Sequence, residues 1–291
     1  MCKPFVKWAG GKSQLLDEIR HKYPADVEKY CEPFVGGGAV LFDILEKFSF
    51  KKVLINDINS ELINTYIQIK NNVNELISLL SKYQKQYNDL SENERRGIYT
   101  KKRKRFNELI IKCEKKDLIE KAGLFIFLNK TCFNGLYRVN SEGFYNVPKG
   151  NYKNPLICDK DNVLQISRML RNVDIKCGDF EKCEKFIDDK TFVYIDPPYR
   201  PLTTSASFTS YTKEQFDDSD QVRLGEFIDR LNDKGAKIVL SNSDPKNINR
   251  KDNFFDDLYK NYNIQRINAK RMINSNGAGR GNITELLVAN Y

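Results

Sequence analysis

Short apolar runs that end in glycine or in a polar residue are the feature that most constrains this sequence. Residues 29–34 lead into the glycines at 36–38, and residues 52–55 lead into an Asn-Asp pair. Between them, residues 39–48 place apolar side chains at helical spacing. A strand–helix–strand unit of this kind forms a parallel pair of strands joined by a right-handed crossover.

The same pattern of strand-like runs followed by polar turns occurs again late in the chain, at three places. They cover residues 173–177, 191–195 and 236–240. Two last runs, around 264–267 and 283–290, flank a glycine-rich turn at 276–282 and predict a terminal hairpin. We therefore expect an α/β fold with a mostly parallel, seven-stranded sheet that finishes in an antiparallel hairpin.

The middle of the chain lacks this rhythm. Residues 62–87 are polar with a helical pattern, residues 122–128 form an apolar helix, and a basic cluster lies between them. We therefore predict a sheet-containing domain of residues 1–62 and 167–291 that is split by an inserted, mainly helical domain of residues 63–166.

Charge and composition restrict the partners. Lys+Arg outnumber Asp+Glu by 48 to 39, a net charge of +9, which permits a polyanionic partner without requiring one. The start of the chain has no apolar signal core, and no apolar run reaches the roughly 18 residues of a membrane span. The seven cysteines are scattered, and His21 is the only histidine. We expect a cytoplasmic protein without a metal or a membrane partner.

Three predicted strand ends carry residues that suit an adenosine-containing ligand. Gly36 and Gly38 would let the backbone pass close to a ligand. Asp57 would accept hydrogen bonds from ribose hydroxyls. Asp179 would accept one from an adenine amine, with Phe180 packing on the ring. Taken singly, the glycines also suit a tight turn and Asp57 also suits a helix cap.

The tetrapeptide Asp196, Pro197, Pro198 and Tyr199 follows a fully apolar strand. Prolines lack an N–H and fix φ, so the backbone carbonyls here are free and rigidly aimed. A carboxylate and a carbonyl that accept both hydrogens of an exocyclic amine would favour its attack on an electrophilic methyl group. Tyr199 offers a face for stacking a base that has left the duplex, worth ~1–3 kcal/mol. A plain β-turn is the alternative for these four residues alone.

Four ordered motifs resemble the DNA adenine methylase family over nearly the whole chain; they are residues 7–12, 32–38, 178–180 and 196–199. The resemblance implies the S-adenosylmethionine-dependent methyltransferase fold, S-adenosyl-L-methionine as the cofactor and double-stranded DNA as the substrate. This class allows a cognate restriction endonuclease that acts on the same site. We expect a monomer from a bacterium or a phage.

Position by position, the resemblance implies a cofactor site and a reaction centre. Asp196 would bond the target amine together with the Pro197 carbonyl, and Tyr199 would stack on the flipped adenine. The predicted catalytic residues are Asp196, Pro197, Pro198 and Tyr199. The predicted cofactor residues are Trp8, Ala9, Gly10, Lys12, Glu32, Pro33, Phe34, Gly36, Gly38, Asp57, Asp179, Phe180 and Asp196.

Residues 129–150 resemble the recognition hairpin of the family members that methylate GATC. Arg138 would read a guanine in the major groove, and Phe133 would be the aromatic wedge, where relatives often carry tyrosine. Leu136 and Pro148 would contact the thymine methyl group. The predicted DNA-binding residues are Lys12, Phe133, Asn134, Leu136, Arg138, Asn140, Asn146 and Pro148. An ordinary structural hairpin is the alternative, because Asn-Gly is a strong turn signal.

Two other functions stay open at this point. One is a methyltransferase for another planar amine, namely RNA adenine, cytosine N4 or a glutamine side chain; Asp196 and the hairpin favour DNA adenine over these. The other is a non-catalytic DNA-binding module, against which the intact glycines, Asp57 and Asp196 argue. We therefore predict a site-specific enzyme that methylates N6 of adenine in duplex DNA, within GATC, by base flipping and direct in-line transfer.

Overall fold

The computed structural model describes residues 2–200, 216–270 and 282–291. Its strands are β1 Lys29–Glu32, β2 Lys52–Asp57, β3 Val173–Cys177, β4 Thr191–Ile195, β5 Lys237–Ser243, β6 Asn263–Lys270 and β7 Asn282–Ala289. They form one sheet in the order β3-β2-β1-β4-β5-β7-β6. The first five strands are parallel, and β7 runs antiparallel between β5 and β6. The predicted α/β fold and terminal hairpin are confirmed; residues 276–281 of its turn lie outside the described residues.

Helices cover both faces of this sheet. They are α1 Leu16–Arg20, α2 Ala39–Lys47, α3 Ser60–Asn71, α4 Val73–Asn88, α5 Glu92–Ile111, α6 Leu118–Thr131, α7 Lys160–Met169, α8 Asp218–Asp233 and α9 Phe254–Leu258. Because side chains alternate along a strand, Tyr30 and Phe192 enter the core on the side of α2, α3 and α7. Cys31 and Val193 enter a second core with α8 and α9. None of these helices is long and apolar enough to cross a membrane.

The helices α3 to α7 occupy the predicted insertion. α6 is buried for most of its length and packs against α3, α4 and α5. α3 also packs on β2 and β3, and α7 packs on α2 and α3. The predicted domain limits at residues 63 and 166 fall inside α3 and α7, so the division into two domains stays a prediction.

The predicted recognition hairpin is an antiparallel ribbon of residues 132–149, with isolated bridges at Cys132–Lys149 and Val139–Tyr145. A continuous ladder does not form, for two physical reasons. Asn134 and Gly135 have φ of 56° and 66°, which turns the first arm out of extended geometry. The backbone N–H and C=O of Tyr145 bond to the side chain of Asn107 on α5 instead of to an opposing strand.

Candidate active site

The predicted catalytic segment leaves the carboxyl end of β4, at the middle of the sheet. The Lys12 ammonium lies 2.6 Å from Asp196 Oδ1, and Ser241 Oγ donates to the same oxygen at 3.1 Å. Ala9 and Gly10 form the turn before Lys12, whose Nζ also donates to the Gly10 carbonyl at 2.7 Å. Burial raises the pKa of Asp196, and Lys12 and Ser241 oppose that rise. These two donors favour the ionised carboxylate.

The two proline carbonyls differ in their partners. Gln221 on α8 donates to the Pro198 carbonyl at 3.0 Å. No donor from the described part of the chain reaches the Pro197 carbonyl. The Tyr199 hydroxyl donates to Glu285 Oε2 at 2.5 Å, and Lys12 Nζ lies 4.7 Å from the Tyr199 ring centroid. A carboxylate, an aromatic face and a carbonyl that no described donor reaches therefore lie within one short segment.

The glycine turn after β1 and the end of β2 form a second cluster. Gly36 N–H donates to Asp57 Oδ2 at 3.0 Å and Asn59 N–H donates to Oδ1 at 2.9 Å. Gly36 and Gly38 have left-handed φ of 48° and 78°, and a Cβ on Gly36 would come within 2.8 Å of the Trp8 ring. Each Asp57 oxygen keeps acceptor capacity for a ribose hydroxyl. This donor and acceptor set fits an adenosyl group, and burial raises the pKa of Asp57 to about 6.

Glu32 and Pro33 lie beneath this turn. Glu32 is buried, accepts a hydrogen bond from Tyr30 Oη at 2.8 Å, and has its pKa raised by that burial. Asn56 Nδ2 donates to the carbonyls of Pro33 and Gly178, at 3.0 and 2.8 Å. Asn56 thus ties the turns after β1 and β3 together. Sequence reasoning missed it, although it stands directly before Asp57.

Asp179 and Phe180 follow β3, and Arg223 of α8 contacts both. Its guanidinium donates to the Asp179 oxygens at 3.1 and 2.9 Å and lies 4.4 Å from the Phe180 ring centroid. Burial raises the pKa of Asp179, but hydrogen bonds from Arg223 and the Glu181 N–H outweigh it and lower the pKa. Phe180 is 2% exposed, with the partly exposed Phe34 5.4 Å away. With Arg223 in place, Phe180 has almost no face left for an adenine.

The segment before Lys12 connects the glycine turn after β1 to the 132–149 ribbon. The Trp8 ring stacks on Tyr137 of the ribbon at 5.8 Å. The Asn129 side chain exchanges two hydrogen bonds with the Lys7 backbone and also donates to the Gly135 carbonyl at 3.0 Å. Asn129 is buried and has no motif to mark it, so sequence reasoning missed it.

The ribbon carries the predicted DNA-binding residues, with one exception. Phe133 is 51% exposed, and its N–H bonds to the carbonyl of exposed Pro148 at 2.8 Å. Arg138 Nε donates to Asn146 Oδ1 at 2.8 Å. The other predicted ribbon residues are exposed Asn134, partly exposed Leu136, and Asn140, which accepts from the Phe144 N–H. The exception is Lys12, which is 3% exposed and lies at Asp196.

The sequence is similar to those of several known proteins. The family model for the D12 class N6 adenine-specific DNA methyltransferase matches residues 8–273. A type II methyltransferase, M.MjaIII of Methanocaldococcus jannaschii, is 49% identical over 99% of both chains. Another, M1.LlaDCHI of Lactococcus lactis subsp. cremoris, is 42% identical over 99% of this chain and 95% of its own. The DNA adenine methylase of Vibrio cholerae is 32% identical over 98% and 95%.

Proposed function

Because this chain belongs to the D12 class N6 adenine-specific DNA methyltransferases and takes its methyl group from S-adenosylmethionine, we propose that it methylates the adenine of GATC in duplex DNA after that base has left the helix. Family membership selects DNA adenine over other planar amines and over a non-catalytic module. The observation that carries the proposal is the Asp196 carboxylate beside a Pro197 carbonyl that receives no hydrogen bond from the described residues, at the centre of the sheet edge.

The reaction centre would work by accepting a hydrogen bond from each N–H of the target amine. Asp196 accepts one and the Pro197 carbonyl accepts the other, which returns electron density from the ring to the nitrogen. S-adenosylmethionine supplies a methyl carbon on a positively charged sulfur. Tyr199 holds the base by stacking, worth ~1–3 kcal/mol, and such chemistry requires a base outside the duplex. Lys12 favours the ionised form of Asp196, and it moves away from the carboxylate when the target amine binds.

The cofactor would lie across the turns after β1, β2 and β3. Asp57 accepts hydrogen bonds from the ribose hydroxyls, and the absence of a side chain on Gly36 lets the Trp8 ring pack directly against this turn. Hydrogen bonds from Arg223 and the Glu181 N–H leave one lone pair on the two Asp179 oxygens. That lone pair accepts a hydrogen bond from the adenine amine of the cofactor.

Sequence recognition would belong to residues 63–166, through the 132–149 ribbon. Arg138 uses Nε to bond Asn146, which leaves its two terminal nitrogens for O6 and N7 of guanine. Phe133 is exposed beside Pro148, as a wedge into the base stack requires. Two relatives are named type II methyltransferases, so we also propose a restriction endonuclease that cuts the same site as a partner in the cell.

Asp196→Ala is the variant that tests the reaction centre. We expect methyl transfer to fall to background, because the amine loses its charged acceptor, while cofactor affinity stays within a few-fold of the wild type. Methyl transfer is measured with labelled cofactor, and cofactor binding by calorimetry. Since the change leaves Lys12 without its carboxylate, thermal unfolding is followed in parallel. Asp174→Ala, an exposed carboxylate on β3, is the matched control. Chemistry that persists at saturating cofactor would refute the role.

A further inference from the structure

β7 brings an acidic side chain into the reaction centre from the far end of the chain. It lies antiparallel to β5, with Glu285 opposite Ser243. Glu285 Oε2 accepts the hydrogen bond from the Tyr199 hydroxyl across 86 residues of sequence. The following residues, Leu286 and Leu287, are buried and apolar. A partly buried carboxylate in such a strand is costly unless it has partners; the charge of Lys12 acts on Glu285, and Tyr199 donates a hydrogen bond to it.

Stacking on a base uses only the ring of a tyrosine. A phenylalanine would provide the same face, so the Tyr199 hydroxyl serves another purpose here. A hydrogen bond to an ionised acceptor is roughly twice as strong as a neutral one, and it fixes the direction of the donor. With its hydroxyl held at Glu285, the Tyr199 ring keeps one orientation. Lys12 then connects that ring, 4.7 Å away, to Asp196 at 2.6 Å.

We propose that Glu285 is a positioning residue for methyl transfer, which fixes the Tyr199 ring so that the target amine meets Asp196 and the Pro197 carbonyl in one geometry. This inference rests on the proposed function, because it assumes that Tyr199 stacks on the extruded adenine. It makes the terminal hairpin a part of the reaction centre, since β7 supplies a side chain that acts through Tyr199.

The test compares Glu285→Ala, Tyr199→Phe and their combination. Each single change should lower kcat roughly tenfold, the factor that a lost hydrogen bond of this strength corresponds to, with KM for S-adenosylmethionine unchanged. The double variant should be no slower than the slower single variant, because both changes remove the same bond. Glu285→Gln keeps an acceptor and should recover most of the rate. Glu226→Ala, an exposed glutamate of α8, is the control.

A duplex with 2-aminopurine at the target position supplies a second readout, because its fluorescence reports whether the base is stacked. The variants should still extrude the base but show an altered bound-state intensity. A Tyr199→Phe or Glu285→Ala enzyme with wild-type kcat and intensity would overturn the proposal, and so would losses that multiply in the double variant. If the wild-type enzyme itself neither extrudes the base nor methylates adenine, the proposed function fails instead.

Discussion

Two carboxylates that should each accept a hydrogen bond from an amine are already paired with a cationic side chain of this protein. Lys12 lies on Asp196, and Arg223 lies on Asp179. Lys12 stabilises the mostly buried Asp196 carboxylate, whereas the Arg223–Asp179 pair is more than a third exposed and contributes less because solvent screens it. The target amine and the cofactor adenine must then replace or share donors that are already bound. Sequence patterns located both carboxylates but gave no sign of Arg223, because it reaches Asp179 from α8.

If Asp57 binds the ribose as proposed, cofactor affinity should depend on pH. Burial raises the pKa of Asp57 to about 6, and in the proposed function its carboxylate is the charged acceptor for the ribose hydroxyls. Below that pH the group is protonated and neutral, so affinity for S-adenosylmethionine should fall as pH falls through about 6 and stay level above it. Calorimetric titrations across this range give the profile. In Asp57→Asn the change in affinity near pH 6 should vanish, and affinity should be low at every pH. If that variant still shows the same change near pH 6, a group other than Asp57 causes it.

Arg138 should set the preference at one base pair. Replacing it with alanine should remove the proposed bidentate contact to guanine and cost ~1–3 kcal/mol of discrimination at that position. Asn146→Ala, which frees the Nε of Arg138, should weaken the same preference by less. Methylation rates on single-base variants of the site measure both effects. If Arg138→Ala leaves the preference untouched, Arg138 does not read the base.

At the scale of elements, β2, β4 and β5 were the most predictable strands because each has an apolar run with a turn signal after it. The 132–149 ribbon was predicted as a hairpin, yet its pairing depends on Asn107, a residue of α5 without a signal of its own. The basic side chains of residues 95–105 also differ in their surroundings, and the sequence alone does not show which of them are paired. Arg105 bonds Glu120, and Lys102 lies over the Tyr83 ring, whereas Lys101 and Lys104 are exposed.

The exposed lysines of α5 should position DNA without reading it. Lys104 lines a groove with Asn146 of the ribbon, so a phosphate contact there would lie close to the recognition residues. Lys104→Ala should weaken binding equally for all sequences and lower the slope of log affinity against log salt by about 1. Binding measured over a salt series tests this. Lys190→Ala, at the amino end of β4, is the control; a changed base preference in Lys104→Ala would argue against a phosphate role.

At the scale of the whole molecule, local patterns identified seven strands and helical character at residues 62–87 and 122–128, but not how distant segments meet. The placement of β7 between β5 and β6, which delivers Glu285 to Tyr199, depends on pairing that periodicity does not encode. The stacking of Trp8 on Tyr137 likewise joins the glycine turn to the ribbon through a contact between remote segments. Through this contact, the residues expected to bind the cofactor and those expected to read DNA are packed against each other.

We propose that this packed unit methylates adenine N6 within GATC. The most direct measurement is transfer of a labelled methyl group to two unmethylated duplexes that differ only in whether they contain GATC, followed by identification of the methylated base. We predict N6-methyladenine in the GATC duplex and background label in the other. Equal labelling of both duplexes, or label on another base, would contradict specific methylation of adenine N6 within GATC.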